Sequence, residues 1–208
     1  MKILLLSPHT DDVELGAGGL VCRLLQEGSH SFQWLVFSRC EDSLGVGMPS
    51  RTLEREFHAS ADFLGIRDRR VFDFAVRTMP EHRQEILELL VRAQQEFRPQ
   101  VVIVPSLDDV HQDHAAVAAE ALRAFKSSAT VLGYELPWNN VTSPSRLLVR
   151  LTREQIDRKW RAMEHYLSQQ KLERDYFSRE FIESWARTRG AQCGTTYAEA
   201  FDVLRAVF

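Results

Sequence analysis

The 208-residue chain is short of cysteine, short of long apolar runs and short of charge imbalance, and each shortage closes off a class of protein. Its three cysteines, Cys22, Cys40 and Cys193, show no paired spacing for a metal, and an odd count argues against a disulfide framework. Each is expected to be a small buried residue. No apolar stretch approaches the roughly 20 residues of a membrane span. The opening apolar run is too short for a signal peptide and breaks at Ser7-Pro8-His9, so the expected location is the cytoplasm. Lys and Arg number 26 against 29 acidic residues, and the net charge of −3 gives no basic face for nucleic acid and no pull toward an acidic partner. Repeats and low-complexity linkers are absent too. Residues 1–208 are therefore read as one domain with a sizeable core.

What the chain does have is an alternation of buried strands and amphipathic helices. Lys2 to Leu6, Ser31 to Ser38, Val71 to Phe74, Val101 to Pro105, Thr130 to Leu136 and Leu147 to Leu151 read as strands. Helical stripes lie between them: Leu53, Phe57, Ala61 and Leu64, closed by Gly65, then Ile86, Leu89, Leu90, Ala93 and Phe97. Further stripes are Ile156, Trp160, Met163 and Leu167, then Phe177, Phe181 and Trp185, the last stopping at Gly190. The segment from Tyr197 to Leu204 is ambiguous between strand and helix. The alternation predicts an α/β fold, a Rossmann-like, mostly parallel sheet with helices on both faces. Residues 39–50 form a long aperiodic segment after a strand, the kind of loop that often closes over a site.

Two strands end in the same way. The first is stopped by Pro8 and followed by His9-Thr10-Asp11-Asp12-Val13-Glu14, then by Gly16, Gly18 and Gly19, which are expected to turn the chain into a helix starting at Gly19. The strand from Val101 is stopped by Pro105 and followed by Asp108-Asp109-Val110-His111-Gln112-Asp113-His114. Open α/β sheets hold ligands past the carboxyl ends of their strands. His9 and Asp12 have the character of two metal ligands with Asp11 beside them as a base, and the second segment can supply a third ligand. Catalytic zinc takes three protein ligands and keeps a position open. A dinucleotide site is a poor rival, because the third glycine of its fingerprint would fall at Val21.

Pro8-His9-Thr10-Asp11-Asp12-Val13-Glu14-Leu15-Gly16-Ala17-Gly18-Gly19 and His111-Gln112-Asp113-His114 resemble the two signatures of the LmbE/PIG-L family of zinc-dependent N-deacetylases. Weaker likeness runs through Arg51-Thr52-Leu53-Glu54, Tyr134-Glu135-Leu136-Pro137-Trp138 and Tyr197-Ala198-Glu199-Ala200-Phe201, so it spans most of the chain; Thr10 stands where the family usually has proline. The resemblance implies zinc on His9, Asp12 and His114, with another divalent metal left open, and Asp11 as general base. It makes His111 the group that holds the oxyanion, with Asp113 orienting it. Arg51, Trp138 and Tyr197 are candidates for substrate binding, and Glu14 is expected to support the loop through backbone hydrogen bonds. The implied substrate is a small N-acetylglucosamine-type amino-sugar conjugate. An amidase acting on a thiol conjugate or antibiotic intermediate shares every one of these residues. A catalytically silent metal-binding protein is the rival from another class, and homo-oligomerisation is left open.

Overall fold

A computed structural model describes residues 1–142 and 146–207. Seven strands form one sheet: β1 (Lys2–Ser7), β2 (Ser31–Val36), β3 (Arg69–Val71), β4 (Val101–Pro105), β5 (Thr130–Tyr134), β6 (Leu147–Leu151) and β7 (Tyr197–Arg205). The spatial order is β3-β2-β1-β4-β5-β7-β6. The first five are parallel, and β7 lies antiparallel between β5 and β6. The Rossmann-like reading holds, with an antiparallel edge added by the segment left ambiguous in sequence.

The helices among the described residues are α1 (Asp12–Glu27), α2 (Thr52–Leu64), α3 (Arg83–Glu96), α4 (Gln112–Phe125), α5 (Arg153–Met163), α6 (Leu167–Gln170) and α7 (Arg179–Gln192). They cover both faces of the sheet, and β1 shows how. Ile3 and Leu5 join the core under α1, α2 and α7, whereas Leu4 and Leu6 join the core under α3 and α4. Side chains of a strand alternate between faces, so an unbroken apolar run is what a doubly covered strand requires. Thr152 and Gln155 form a reciprocal capping box at the start of α5, and Gly65 closes α2 at φ 87°, where a side chain would be strained.

Two expectations fail locally. Leu167 is 60% exposed, because α5 ends at Met163 and the stripe loses its period there. The glycines do not turn the chain either: α1 begins at Asp12 and carries Gly16, Gly18 and Gly19 inside it, all buried. Their role is close approach. A Cβ on Gly16 would enter the ring of Tyr134, one on Gly18 would sit 2.8 Å from Lys159 Cγ, and one on Gly19 would meet Leu151 and Glu199. The helix can therefore lie tight against β5, β6 and α5, which holds its first turn at the sheet edge.

Candidate metal centre and active-site cavity

Strand order reverses between β1 and β4, which are hydrogen-bonded neighbours. Such a switch point leaves a crevice past the carboxyl ends of the strands. β1 delivers His9, Asp11 and Asp12 into it. β4 delivers the segment Asp109 to His114 from the other side.

His9 Nδ1 and His114 Nε2 face each other at 3.0 Å. The Asp12 carboxylate lies 3.4 Å from each, Oδ2 toward His9 and Oδ1 toward His114. The outward nitrogens are both spoken for: His9 Nε2 meets Asp113 Oδ2 at 3.0 Å, and His114 Nδ1 meets Asp109 Oδ2 at 2.7 Å. A neutral imidazole that donates outward to a carboxylate keeps its inner nitrogen as an acceptor. Two acceptor nitrogens and a carboxylate then face one spot, an arrangement that suits a cation, while Asp12 Oδ2 also accepts the His9 backbone N–H at 2.6 Å. Tetrahedral ligand atoms around an ion at about 2.0–2.1 Å sit roughly 3.3 Å apart, so the spacing fits a zinc-sized ion.

The electrostatics point the same way. Burial pushes the Asp12 carboxyl up, but the charges and hydrogen bonds of His114 and His9 outweigh it and hold the group well below the usual carboxylate range. Burial pushes His114 down, yet the Asp12 charge and the Asp109 hydrogen bond lift it to about 10. His9 is likewise raised, its burial outweighed by Asp12 and Asp113.

His111 also belongs to the histidine cluster, whose ligand atoms all lie within 4.8 Å of one another. Its bonding differs from that of the other two. It caps α4, and its Nδ1 accepts the backbone N–H of Asp113 at 3.2 Å. That leaves Nε2 to carry the proton of the neutral ring, a donor rather than a ligand. Its pKa is lowered by burial and then by the charges of His114 and His9. Asp12 and His111 are thus rival third members of a candidate ligand set that shares His9 and His114.

Asp113 is fully buried behind His9, and its charge also acts on His111. It also accepts the backbone N–H groups of Arg77 at 2.6 Å and Met79 at 3.2 Å. The orienting role toward His111 expected of its side chain is thus directed at His9. Asp109 was assigned no role from sequence; it accepts from the His114 ring and, through Oδ1, from the His111 backbone N–H at 2.8 Å. Its place five residues before His114, past a buried strand, was the only available signal.

Asp11 lines the cavity, and burial followed by the Asp12 charge pushes its carboxyl up to about 6, opposed by the His9 charge, a hydrogen bond from its own backbone and the Arg174 charge. Glu14 points the other way. Its Oε1 meets Ser60 Oγ at 2.7 Å and Tyr166 Oη at 2.8 Å, and that phenol donates to the Thr10 carbonyl at 2.6 Å. Loop support is therefore relayed through side chains instead of running directly to the backbone.

The cavity around this cluster has a volume of about 450 Å³. Cys40, Asp42 and Ser43 from the 39–50 segment line one side, so this loop forms a wall of the site. Trp138 lines another side, but one face of its ring is covered by Tyr176, stacked at 4.1 Å and 16°. Arg51 starts α2 with its side chain 58% exposed, 3.7 Å from Glu54, and does not line the cavity. Tyr197 stands apart from it too: it pairs with Leu151 in the antiparallel edge, and Arg153 and Arg187 donate to its hydroxyl. Arg77 and Arg174, which sequence reading did not single out, line the cavity instead.

Fold and cluster together define an α/β protein with a candidate metal centre at its sheet switch point. Residues 4–125 match the family described as PIG-L, GlcNAc-PI de-N-acetylase; that is more than half of the chain, and the protein belongs to this family. Among solved structures, the conserved protein TT1542 from Thermus thermophilus is 28% identical with a TM-score of 0.77, covering 99% of this chain and 96% of that one. N,N'-diacetylchitobiose deacetylase from Pyrococcus horikoshii is 20% identical with a TM-score of 0.77, over 98% of this chain and 83% of that one. GalB, the 4-carboxy-2-hydroxymuconate hydratase from Pseudomonas putida, is 19% identical with a TM-score of 0.78, over 100% and 97%. A deacetylase and a hydratase share this fold, so the reaction has to be argued from the site.

Proposed function

We propose that this protein is a zinc-dependent deacetylase that hydrolyses the N-acetyl group of an amino-sugar derivative. The observation that carries the reading is the convergence of His9 Nδ1, His114 Nε2 and the Asp12 carboxylate on one point, beside Asp11 in the cavity wall. Membership of a family described by a de-N-acetylase supports the amide, and the chitobiose deacetylase supports the sugar.

His9, Asp12 and His114 would hold the ion. Zinc, when bound, polarises a carbonyl and brings the pKa of water toward about 7. Asp11 takes the proton of the attacking water, the task of a base poised near neutral pH. His111 donates its Nε2–H to the carbonyl oxygen as negative charge grows there. Asp11 then returns the proton to nitrogen as the C–N bond breaks, leaving acetate and a free amine. Asp109 and Asp113 position the two ligand rings. Arg51 and Tyr197 fall outside this scheme, and Trp138 contributes as part of an aromatic wall.

No helix among the described residues is long and apolar enough to cross a membrane. Acetate release across N-acetylglucosamine lipids, glycosides, nucleotide sugars and thiol conjugates tests the reading. Zinc-loaded protein that turns over the conjugates and ignores every acetylated sugar would make it the amidase instead.

A further inference from the structure

One buried amide in the wall of the active-site cavity has no partner in the protein. Gln169 lines the cavity at 3% exposure, and among the described residues no hydrogen bond reaches its side chain. The amide is not sealed in either. The fully enclosed polar atoms that lack a partner are Glu14 Oε2, Arg39 Nε and Glu54 Oε2, and no atom of Gln169 is among them. Its open side is therefore the cavity. An amide buried without a partner weakens a fold, whereas an apolar side chain of the same length would not.

The amide stands on a fixed mount. Helix α6 begins after Tyr166, whose phenol donates to the Thr10 carbonyl at 2.6 Å, on the peptide that leads into Asp11. The Glu56 carboxylate accepts both the backbone N–H of Ser168 at 2.8 Å and its Oγ–H at 2.5 Å. On the other side, Gln170 donates through Nε2 to the Glu164 carbonyl at 3.0 Å. The backbone of Gln169 is paired as well: its N–H donates to the Tyr166 carbonyl at 3.1 Å, and its carbonyl accepts from Leu172 at 3.2 Å. Arg174, also in the cavity wall, donates to Tyr176 Oη at 2.6 Å, and that ring stacks on Trp138. A contact made from such a backbone loses little freedom when a ligand arrives.

A glutamine amide sets a carbonyl acceptor beside an NH2 donor. A neutral group that both donates and accepts satisfies the two together, while an anion or an ammonium engages only one. In the scheme above the acetamide of the substrate is met by His111 and Asp11, which leaves the ring hydroxyls. We infer that Gln169 recognises a hydroxyl group of the sugar, so that it selects the ring while the metal centre selects the amide. The inference rests on the amino-sugar reading and deepens it. Gln169 comes from outside residues 4–125, on a helix that carries none of the proposed metal ligands.

The test is binding, separated from turnover. Zinc-loaded Asp11→Asn protein is titrated calorimetrically with the methyl glycoside of N-acetylglucosamine and with its 3-, 4- and 6-deoxy analogues. A site that hydrogen-bonds a hydroxyl rejects the analogue lacking it, because its own buried group is left unpaired. At least one deoxy sugar is expected to bind about tenfold or more weaker than the parent. With Gln169→Met added, parent and analogue should come within about threefold of each other. A folding defect weakens all four ligands alike, so the ratio is the readout. Gln169→Asn, which keeps an amide but draws it back from the cavity, should lose the preference too. The inference fails if the penalty for the missing hydroxyl survives in Gln169→Met, since another group then holds it. It fails equally if all four sugars bind alike while Gln169 is intact, or if none binds. Acetate release by the wild-type protein is read separately. Release without a Gln169-dependent penalty strikes this inference alone, whereas no release from any acetylated sugar ends the deacetylase reading and leaves a Gln169-dependent penalty standing.

Discussion

Asp109 accepts from the His114 ring at 2.7 Å through one carboxylate oxygen and from the His111 backbone N–H at 2.8 Å through the other. One buried side chain thereby sets the tautomer of a proposed ligand and the start of the helix that carries both histidines. Replacing it with alanine frees the His114 ring and removes the charge behind it. Metal affinity is expected to fall about 10–100-fold, the usual cost of losing such a partner. Competition with a chromophoric chelator measures it, and an unchanged affinity would detach Asp109 from the centre.

The ligand set is open to a sharper test, because Asp12 and His111 compete for the third place. Purified protein should hold one zinc per chain, and His9→Ala, Asp12→Ala and His114→Ala should each lose it. His111→Ala should keep it, since the His111 Nδ1 is already an acceptor for the Asp113 backbone. Elemental analysis decides. A His111→Ala protein without metal, beside an Asp12→Ala protein that retains it, would exchange the two roles.

Asp11 lines the cavity, and among the described residues its side chain hydrogen-bonds to no residue but its own backbone, so its amide variant should fold and bind metal normally. Turnover is expected to drop by roughly 10²–10⁴-fold, the contribution of a general base. Metal content and kcat measured on the same Asp11→Asn preparation separate this from a ligand role. Loss of zinc in that variant would mean that the two adjacent aspartates had been assigned the wrong way round.

Much of this was legible because strand ends leave strong marks. An apolar run stopped by proline and followed by His and Asp marks a strand end at a ligand crevice, and two such runs coincided on neighbouring strands. The glycines after Asp12 were misread because a tight turn and a close helix contact select the same residue; only the Tyr134 ring and Lys159 stem show which applies. Tyr197 looked like a site residue by family likeness, yet β7 pairs it with Leu151 at the antiparallel edge. Arg77 and Arg174 carry no periodic signal, since what places them is a left-handed backbone in one case and an aromatic stack in the other.

The cysteines divide by burial. Desolvation pushes the Cys22 and Cys40 thiols up to about 12, against a thiolate that burial disfavours. Both should therefore stay thiols well above neutral pH. Cys193, at the end of α7, is partly exposed. Ellman's reagent at pH 8 is expected to label one thiol in the native protein and three in denaturant. Rapid native labelling of two or three would show that the core opens around α1 or the cavity wall.

The last prediction concerns the ion pair that lies against α1. Lys159 Nζ is 2.7 Å from Glu199 Oε1, and both side chains are almost wholly buried. Each also takes a backbone group from the glycine-rich stretch of α1: Lys159 donates to the Leu15 carbonyl, while Glu199 accepts from the N–H groups of Gly19 and Leu20. Gly18 and Gly19 are what let these side chains come so close. Removing the lysine alone strands a buried carboxylate, an effect of about 3–5 kcal/mol. Lys159→Met should accordingly lower the urea midpoint strongly. Adding Glu199→Gln should recover part of the loss, because the amide oxygen can still accept from the helix N–H groups while the buried charge is gone. Double-variant stability equal to or below that of Lys159→Met would show that the damage came from lost packing of the lysine stem against α1, with the stranded charge contributing little.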